Sequence, residues 1–360
     1  MNDEARKVIG GVFALESRGG AERSPAAGPF RDALAGRGRF LAASHARGAL
    51  DWLVGFLEPA RVWLPAYLCD ALLSDRVRPR ASFFDVDQDL VPSTGNWLDR
   101  LAPGDLVAPI AYFGWPIRGG LLGALRERGA TIVVDASQAL LTEGTQIGAD
   151  YLLASPRKFV GVPDGGLLVP VEDAPWPDAL PELIPWRAVT EALVAGRERR
   201  EFDAAGGNGP ERGWYAHFAA AESAAPTDAR SCADDTAQRL AAVDWRAVAA
   251  ARRANWEVLA AGLEGRLIFG QLPAEVVPMG CPVRFTSGPE RDAARAALHA
   301  AAVYAPWHWD LEGAVPATHV AAHGLAARTL TLPLDQRYGA GDMARVLRTL
   351  EPVLARGAST

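Results

Sequence analysis

The sequence predicts an α/β protein: a large, mainly parallel sheet covered by helices, followed by a smaller C-terminal α+β unit. Three observations lead there. Short apolar strands alternate with helical segments between residues 46 and 170, the order that a covered parallel sheet requires. Polar residues with chemical potential stand just past strand ends, where open α/β sheets bind ligands. The chain has 360 residues, 49% hydrophobic and 22% charged, enough for one large domain and a smaller one.

The elements follow in order. Residues 1–40 are rich in Gly, Ala and Arg and read as an N-terminal arm. The run 46–57 has helical spacing of apolar residues. Residues 61–65 read as a short strand, 67–77 as a helix, 81–86 as a strand and 106–112 as another. Residues 119–129 read as a helix closed by Gly129, a residue type suited to the position after a helix end. Strands follow at 131–135, 151–154 and 167–170. Residues 171–235 hold several Pro, a Gly-Gly-Asn-Gly run at 206–209 and helical patches. A joint placed within 185–245 gives a large domain over 41–235 and a small one over 236–360. The small domain opens with a helix from Trp245 to about Leu263, with Arg252, Arg253 and Glu257 on its polar side. Strands near 283–285 and 329–333 and helices at 289–302 and 341–355 complete it. There is no internal repeat.

Composition excludes several classes. A net charge of −6 does not suit a nucleic-acid partner. Cys69, Cys232 and Cys281 are dispersed and odd in number, with no C-x-x-C pair. That argues against a disulfide scaffold or a metal site and fits a reducing cytoplasm. The charged N-terminus shows no signal peptide, and no window approaches the roughly 18 apolar residues of a membrane span.

Two strand ends carry the chemistry. Thr131-Ile132-Val133-Val134-Asp135 is a β-branched strand ending in a carboxylate. About twenty residues on, an apolar strand leads to Ser155, then to Lys158, then to the turn Asp164-Gly165-Gly166. The chain has only one other lysine, Lys7. Taken singly, Asp135 is as well explained as a helix cap and Ser155 as a turn residue. Together they match what pyridoxal phosphate (PLP) needs. A carboxylate keeps the pyridine nitrogen protonated, and a lysine holds the aldehyde as a Schiff base and later moves a proton. The Ser155 hydroxyl can reach the phosphate while Lys158 reaches the aldehyde. The helix start at Ala46-Arg47-Gly48 offers free backbone N–H groups to the same phosphate.

These and further motifs resemble the DegT/DnrJ-type PLP-dependent sugar aminotransferases, a branch of the aspartate aminotransferase superfamily of fold type I. The resemblance spans residues 36–355. Leu64-Pro65-Ala66-Tyr67-Leu68-Cys69 is similar to the family's proline-containing loop, Phe83-Phe84-Asp85-Val86-Asp87 to its F-x-D-V-D strand, and Pro109-Ile110-Ala111-Tyr112-Phe113-Gly114 to its aromatic-Gly segment. Asp135-Ala136-Ser137-Gln138-Ala139 resembles its D-A-A-Q-A motif, and Lys158 keeps the family spacing to Asp164-Gly165-Gly166. Tyr304-Ala305-Pro306-Trp307-His308-Trp309 and Leu332-Pro333-Leu334-Asp335-Gln336-Arg337-Tyr338 resemble its small-domain signatures.

The resemblance implies PLP as cofactor and catalytic roles for Lys158 and Asp135. It implies cofactor contacts from Gln138, Ser155, Ala46, Arg47 and Cys69. It also implies a cytoplasmic homodimer with shared sites and partner contacts from residues 185–240. The implied activity is transfer of an amino group from an amino-acid donor to a keto acceptor, a nucleotide-linked keto sugar. Two other readings stay open: a different PLP-dependent reaction on a non-sugar substrate, and a non-catalytic PLP-binding sensor or partner protein. Lys158 argues against the related dehydratases, which carry His there.

The chain departs from the family pattern in places. Leu153 stands where many members have Ser, and the S-x-x-K spacing of Ser155 is that of aspartate aminotransferases. His45-Ala46-Arg47 replaces a Ser-Gly-Thr helix start, with His45 a candidate phosphate neighbour. Cys69 falls where an aromatic residue stacks on the cofactor ring, leaving Tyr67, Tyr112 or Phe113 to compensate. The family's Asn-bearing segment is not recognisable in 185–240. His308, between two Trp, is a candidate for the substrate mouth; His217, His299, His319 and His323 show no ligand spacing.

Overall fold

The computed structural model describes residues 7–18, 28–118, 120–171, 173–208 and 212–357. Residues 1–6 and 19–27 of the predicted arm lie outside the described residues.

A seven-stranded sheet forms the centre. In chain order, β1 is Ile9–Gly10, β2 Leu41–Ala43, β3 Val62–Pro65, β4 Ala81–Phe84, β5 Leu106–Val107, β6 Thr131–Asp135, β7 Tyr151–Ala154 and β8 Gly166–Pro170. The sheet order is β2-β8-β7-β6-β5-β3-β4. The pairs from β7 through β6, β5 and β3 to β4 are parallel, while β8 runs antiparallel to both neighbours.

Side chains alternate between two cores, as strand periodicity demands. Leu64, Leu106, Val133 and Leu153 face one core with Leu50, Leu53 and Val54 of helix α2 (Ala46–Leu57). Trp63, Val107, Ile132, Val134 and Leu152 face the other, with Leu121 and Leu125 of α3 (Leu121–Arg126). A short α1 (Arg31–Leu34) adds Ala33 and Leu34 to that second core. Covered on both faces, the central strands are mainly apolar.

Residues 171–235, unreadable as periodic elements, contain two long helices. These are α4 (Val189–Ala204) and α5 (Gly213–Ser223), which pack against each other. Next come α6 (Asp234–Ala242) and α7 (Trp245–Gly262). Two further antiparallel strands, β9 (Cys281–Arg284) and β11 (Thr329–Leu332), pair together. They are accompanied by α8 (Gly288–Ala300), α9 (Val320–Arg328) and α10 (Ala340–Gly357). Strand β10 (Val303–Tyr304) pairs in parallel with β1 near the N-terminus. Arg199, only 1% exposed, donates to the carbonyls of Gly10 and Val12 and fastens that N-terminal strap to α4.

The structure corrects three local expectations. Residues 67–77 are not a helix but a single 3₁₀ turn at Asp70–Leu72. The buried Asp51 carboxylate accepts from the Ser74 hydroxyl at 2.8 Å and from the Arg76 backbone N–H at 3.2 Å, pinning the chain in another course. The strand predicted over 106–112 keeps only Leu106–Val107 in the ladder. Pro109 has no N–H to offer, and the chain turns at Tyr112–Gly114, where Phe113 has φ 54°. Arg252 is not on a polar face of its helix. It is fully buried and donates to Gln336 Oε1 and to the carbonyls of Met279 and Phe159. A buried guanidinium survives because several acceptors satisfy it at once.

Candidate functional site

A cleft opens where β6 and β7 end, beside the N-terminus of α2, with about 720 Å³ of empty space. Ala46, Arg47, Cys69, Asp135, Gln138, Ser155 and Lys158 all line it. The structure thus brings together every site residue expected from the sequence. His45, a candidate phosphate neighbour, lines it too, and the structure adds Ser137, Arg157, Glu222 and Trp309.

Asp135 is the last residue of β6 and is 5% exposed. Its backbone is locked by Asp135 N donating to Pro109 O and Ala111 N donating to Asp135 O, both at 2.9 Å. Its Oδ1 accepts from the Ser137 backbone N–H at 2.8 Å. The carboxylate is therefore aimed by the sheet and by one local hydrogen bond. Gln138 is 1% exposed; its Oε1 accepts from the Phe113 N–H at 2.8 Å while its Nε2 has no partner among the described residues.

Ser155 follows β7 and precedes the 3₁₀ turn Pro156–Lys158, closed by Lys158 N donating to Ser155 O at 3.1 Å. This turn presents Lys158 to the cleft. The lysine's charge is felt by its neighbours. Burial pushes the Cys69 thiol up, and Lys158 partly opposes that rise. Burial, then Lys158, pull the His308 imidazole down to about 3. His308 Nδ1 lies 2.8 Å from the Thr331 hydroxyl. His308 feels the lysine's charge but is not among the residues that line this cleft.

The phosphate end expected from the sequence is built on α2. His45, the residue before the helix, is 4% exposed, with Nδ1 3.1 Å from the Ser44 hydroxyl. Burial, then Arg157 and Arg47, lower its pKa to about 2. Arg47 donates from Nε to Pro226 O at 2.9 Å. Gly166 of β8 passes so close that a Cβ there would stand 2.2 Å from the Ala46 nitrogen. Only glycine permits that approach. Arg157 pairs with Glu222 of α5 at 2.7 Å. Segment 185–240 was expected to reach a partner's site; here its Glu222 and Pro226 reach this chain's own cleft.

Cys69 lines the cleft, but Tyr67, Tyr112 and Phe113 are buried behind it. The aromatic ring at the cleft is Trp309, whose centroid is 5.1 Å from that of Tyr67. Sequence reasoning missed Trp309, Arg157 and Glu222. Arg157 had a usable signal, its place beside Lys158, whereas Glu222 sits on a helix that no periodicity announced. Among the described residues no cluster of His, Cys, Asp and Glu could hold a metal ion, and no helix is long and apolar enough to cross a membrane.

No protein-family model and no curated protein matches this chain. Solved structures do. The aminotransferase TlmJ from Streptoalloteichus hindustanus is 21% identical with a TM-score of 0.65, covering 96% of this chain and 99% of that one. A DegT DnrJ EryC1 StrS aminotransferase from Brucella abortus is 14% identical with a TM-score of 0.59, covering 91% of each. NtdA from Bacillus subtilis, with the cofactor PMP bound, is 12% identical with a TM-score of 0.60, covering 92% of this chain and 78% of that one. At such identities the likeness establishes the fold. The chain has the architecture of the fold type I aminotransferases, with its mainly parallel sheet and its cleft at the strand ends.

Proposed function

We propose that this protein is a PLP-dependent aminotransferase. It would move an amino group from an amino-acid donor to a keto acceptor, and the motif resemblance favours a nucleotide-linked keto sugar. The observation that carries this reading is one cleft joining Asp135, Lys158 and the N-terminus of α2. Buried polar atoms of the lining residues support the fit. His45 Nε2, Arg47 Nη2 and Gln138 Nε2 have no hydrogen-bond partner among the described residues, and such atoms are costly unless a ligand satisfies them.

When bound, PLP supplies an electron sink for negative charge developing at the donor Cα. The chain's own residues do the rest. Lys158 Nζ would hold the cofactor at its aldehyde and, when free, would carry a proton to and from the donor Cα. The Asp135 carboxylate favours a proton on the ring nitrogen by charge attraction. Gln138 Nε2, without a partner among the described residues, would be available to donate to the cofactor. The Ser155 hydroxyl and the first N–H groups of α2 receive the phosphate. Trp309 supplies the aromatic wall that Cys69 cannot.

The same reading takes 41–235 as the cofactor-binding unit and 236–360 as the smaller unit. It takes the working form as a cytoplasmic homodimer. The exposed Ile184, in the Trp- and Pro-rich stretch beside the cleft segment, supports a covered face.

The test is spectroscopic. The purified chain with PLP should show a visible absorption band that a panel of amino donors bleaches, and Lys158→Ala should abolish the change. A chain that binds no cofactor contradicts the reading. A band that no donor moves would favour a sensor instead.

A further inference from the structure

The charged groups around the start of α2 form a site that the motifs do not describe. The sequence pointed to Ser155, Ala46 and Arg47 for the phosphate, with His45 as a candidate neighbour, and the structure adds Arg157 and Glu222. We propose that Arg47, Arg157 and the N-terminus of α2 form a phosphate cup within one chain, in which Glu222 is a resident counter-ion that the cofactor phosphate displaces from Arg157. The proposal rests on the PLP reading above.

Four observations carry it. A carboxylate already sits there: Arg157 Nη1 donates to Glu222 Oε1 at 2.7 Å, so the place accepts an anion's oxygen. The bridge is partly open to water, with side chains 23% and 34% exposed. With 34% of its side chain exposed, the Glu222 carboxylate has a path to solvent. The remaining donors are unused, since His45 Nε2, Arg47 Nη2 and Arg157 Nε have no partner among the described residues. Finally, α2 is a full 12-residue helix whose first residues, Ala46 and Arg47, line the same cleft.

Charge arithmetic favours exchange over simple addition. A phosphate ester carries about −1.5 to −2 at neutral pH. Two guanidiniums and a helix end offer roughly +2.5. While Glu222 holds Arg157, about one unit of that is already neutralised. Release of Glu222 restores the match. His45 adds a donor without adding charge, because burial and the two arginines keep it neutral down to about pH 2. With the Ser44 hydroxyl at Nδ1, the ring proton is free to sit on Nε2, facing the cup. Glu222 draws the converse effect: burial pushes its pKa up, but Arg157 and Arg47 prevail and hold it below the usual carboxylate range.

The test compares PLP with pyridoxal, which lacks the phosphate, by absorbance titration of the full-length chain. Arg157→Gln should weaken PLP binding at least tenfold and leave pyridoxal binding unchanged. Arg157→Lys, which keeps the charge, should fall between. Glu222→Gln should tighten PLP binding severalfold, because a competing anion is gone. Opposite signs are the signature, since loss of a merely structural bridge would weaken binding in both. The same PLP-to-pyridoxal ratio in all proteins, or weakening in both variants, overturns the proposal. Thermal melts of the cofactor-free chain with inorganic phosphate separate this claim from the reading beneath it. A chain that takes neither PLP nor pyridoxal sinks the aminotransferase reading. The cup survives that if phosphate raises the melting temperature most in Glu222→Gln and least in Arg157→Gln, and falls if phosphate stabilises all three alike.

Discussion

Residues 131–170 and residues 185–236 meet at one cleft but are held there differently. The first are strands: β6, β7 and β8 are buried, ladder-bonded to one another, and deliver Asp135, Ser155 and Lys158 at fixed ends. The second are helices and loops, of which Glu222 lines the cleft and others join its surroundings at separate points. Glu222 meets Arg157, Pro226 O accepts from Arg47, and Ala233 N donates to Asp164. A sheet end fixes geometry, whereas a helix joined by single polar contacts can adjust. Changes in the first segment should strike the chemistry with little effect on folding, and changes in the second should alter affinity and stability.

Asp135→Asn gives the larger effect and tests the first half of that contrast. Asparagine keeps an acceptor for the Ser137 N–H but loses the charge beside the ring nitrogen. Donor deprotonation should slow about 100-fold, if that charge is worth about 3 kcal/mol. Unfolding free energy should change by less than about 1 kcal/mol. Stopped-flow absorbance and urea titration read the two quantities. A near-normal rate would reduce Asp135 to a cap.

Asp164→Ala tests the joint between the segments and has the smaller effect. Asp164 is 1% exposed and accepts from Ala233 N at 2.9 Å and from the Thr236 hydroxyl. Removing it leaves both donors buried without an acceptor, at a cost of about 2 kcal/mol. Burial is the largest influence on its carboxyl and raises its pKa against its hydrogen bonds. The folded state therefore holds that proton more tightly than the unfolded state. The side chain's contribution is fullest below the ordinary value of 3.8 and shrinks as pH rises through the folded value. Urea titrations should show a wider gap between wild type and variant at pH 4 than at pH 7. A gap that widens with pH would reverse this assignment.

The same contrast explains what was legible in the sequence. Buried parallel strands must be apolar and β-branched, so Thr131–Asp135 and Tyr151–Ala154 stood out, and residues just past them were the natural candidates. Asp135, Ser155 and Lys158 line one cleft for that reason, together with Gln138, Ala46, Arg47 and Cys69, which the helix start and the motif resemblance supplied. Helix α4 carries Arg199 inward and charges all round, so it shows no apolar stripe. Helix α5 is rich in Ala with little amphipathic contrast, so Glu222 had no frame to be read in. Arg252 misled for a related reason: an arginine reads as polar surface unless its acceptors are known, and Gln336, Met279 and Phe159 are all distant in sequence. Trp309 lines the cleft from the C-terminal part of the chain, far in sequence from those strand ends, so no strand pattern pointed to it.

The central claim is that Lys158 carries the cofactor, and borohydride reduction of the PLP-loaded protein tests it most directly. Peptide mapping should place the pyridoxyl group on the peptide containing Lys158. A label on Lys7, the chain's only other lysine, or no label at all, would contradict the account.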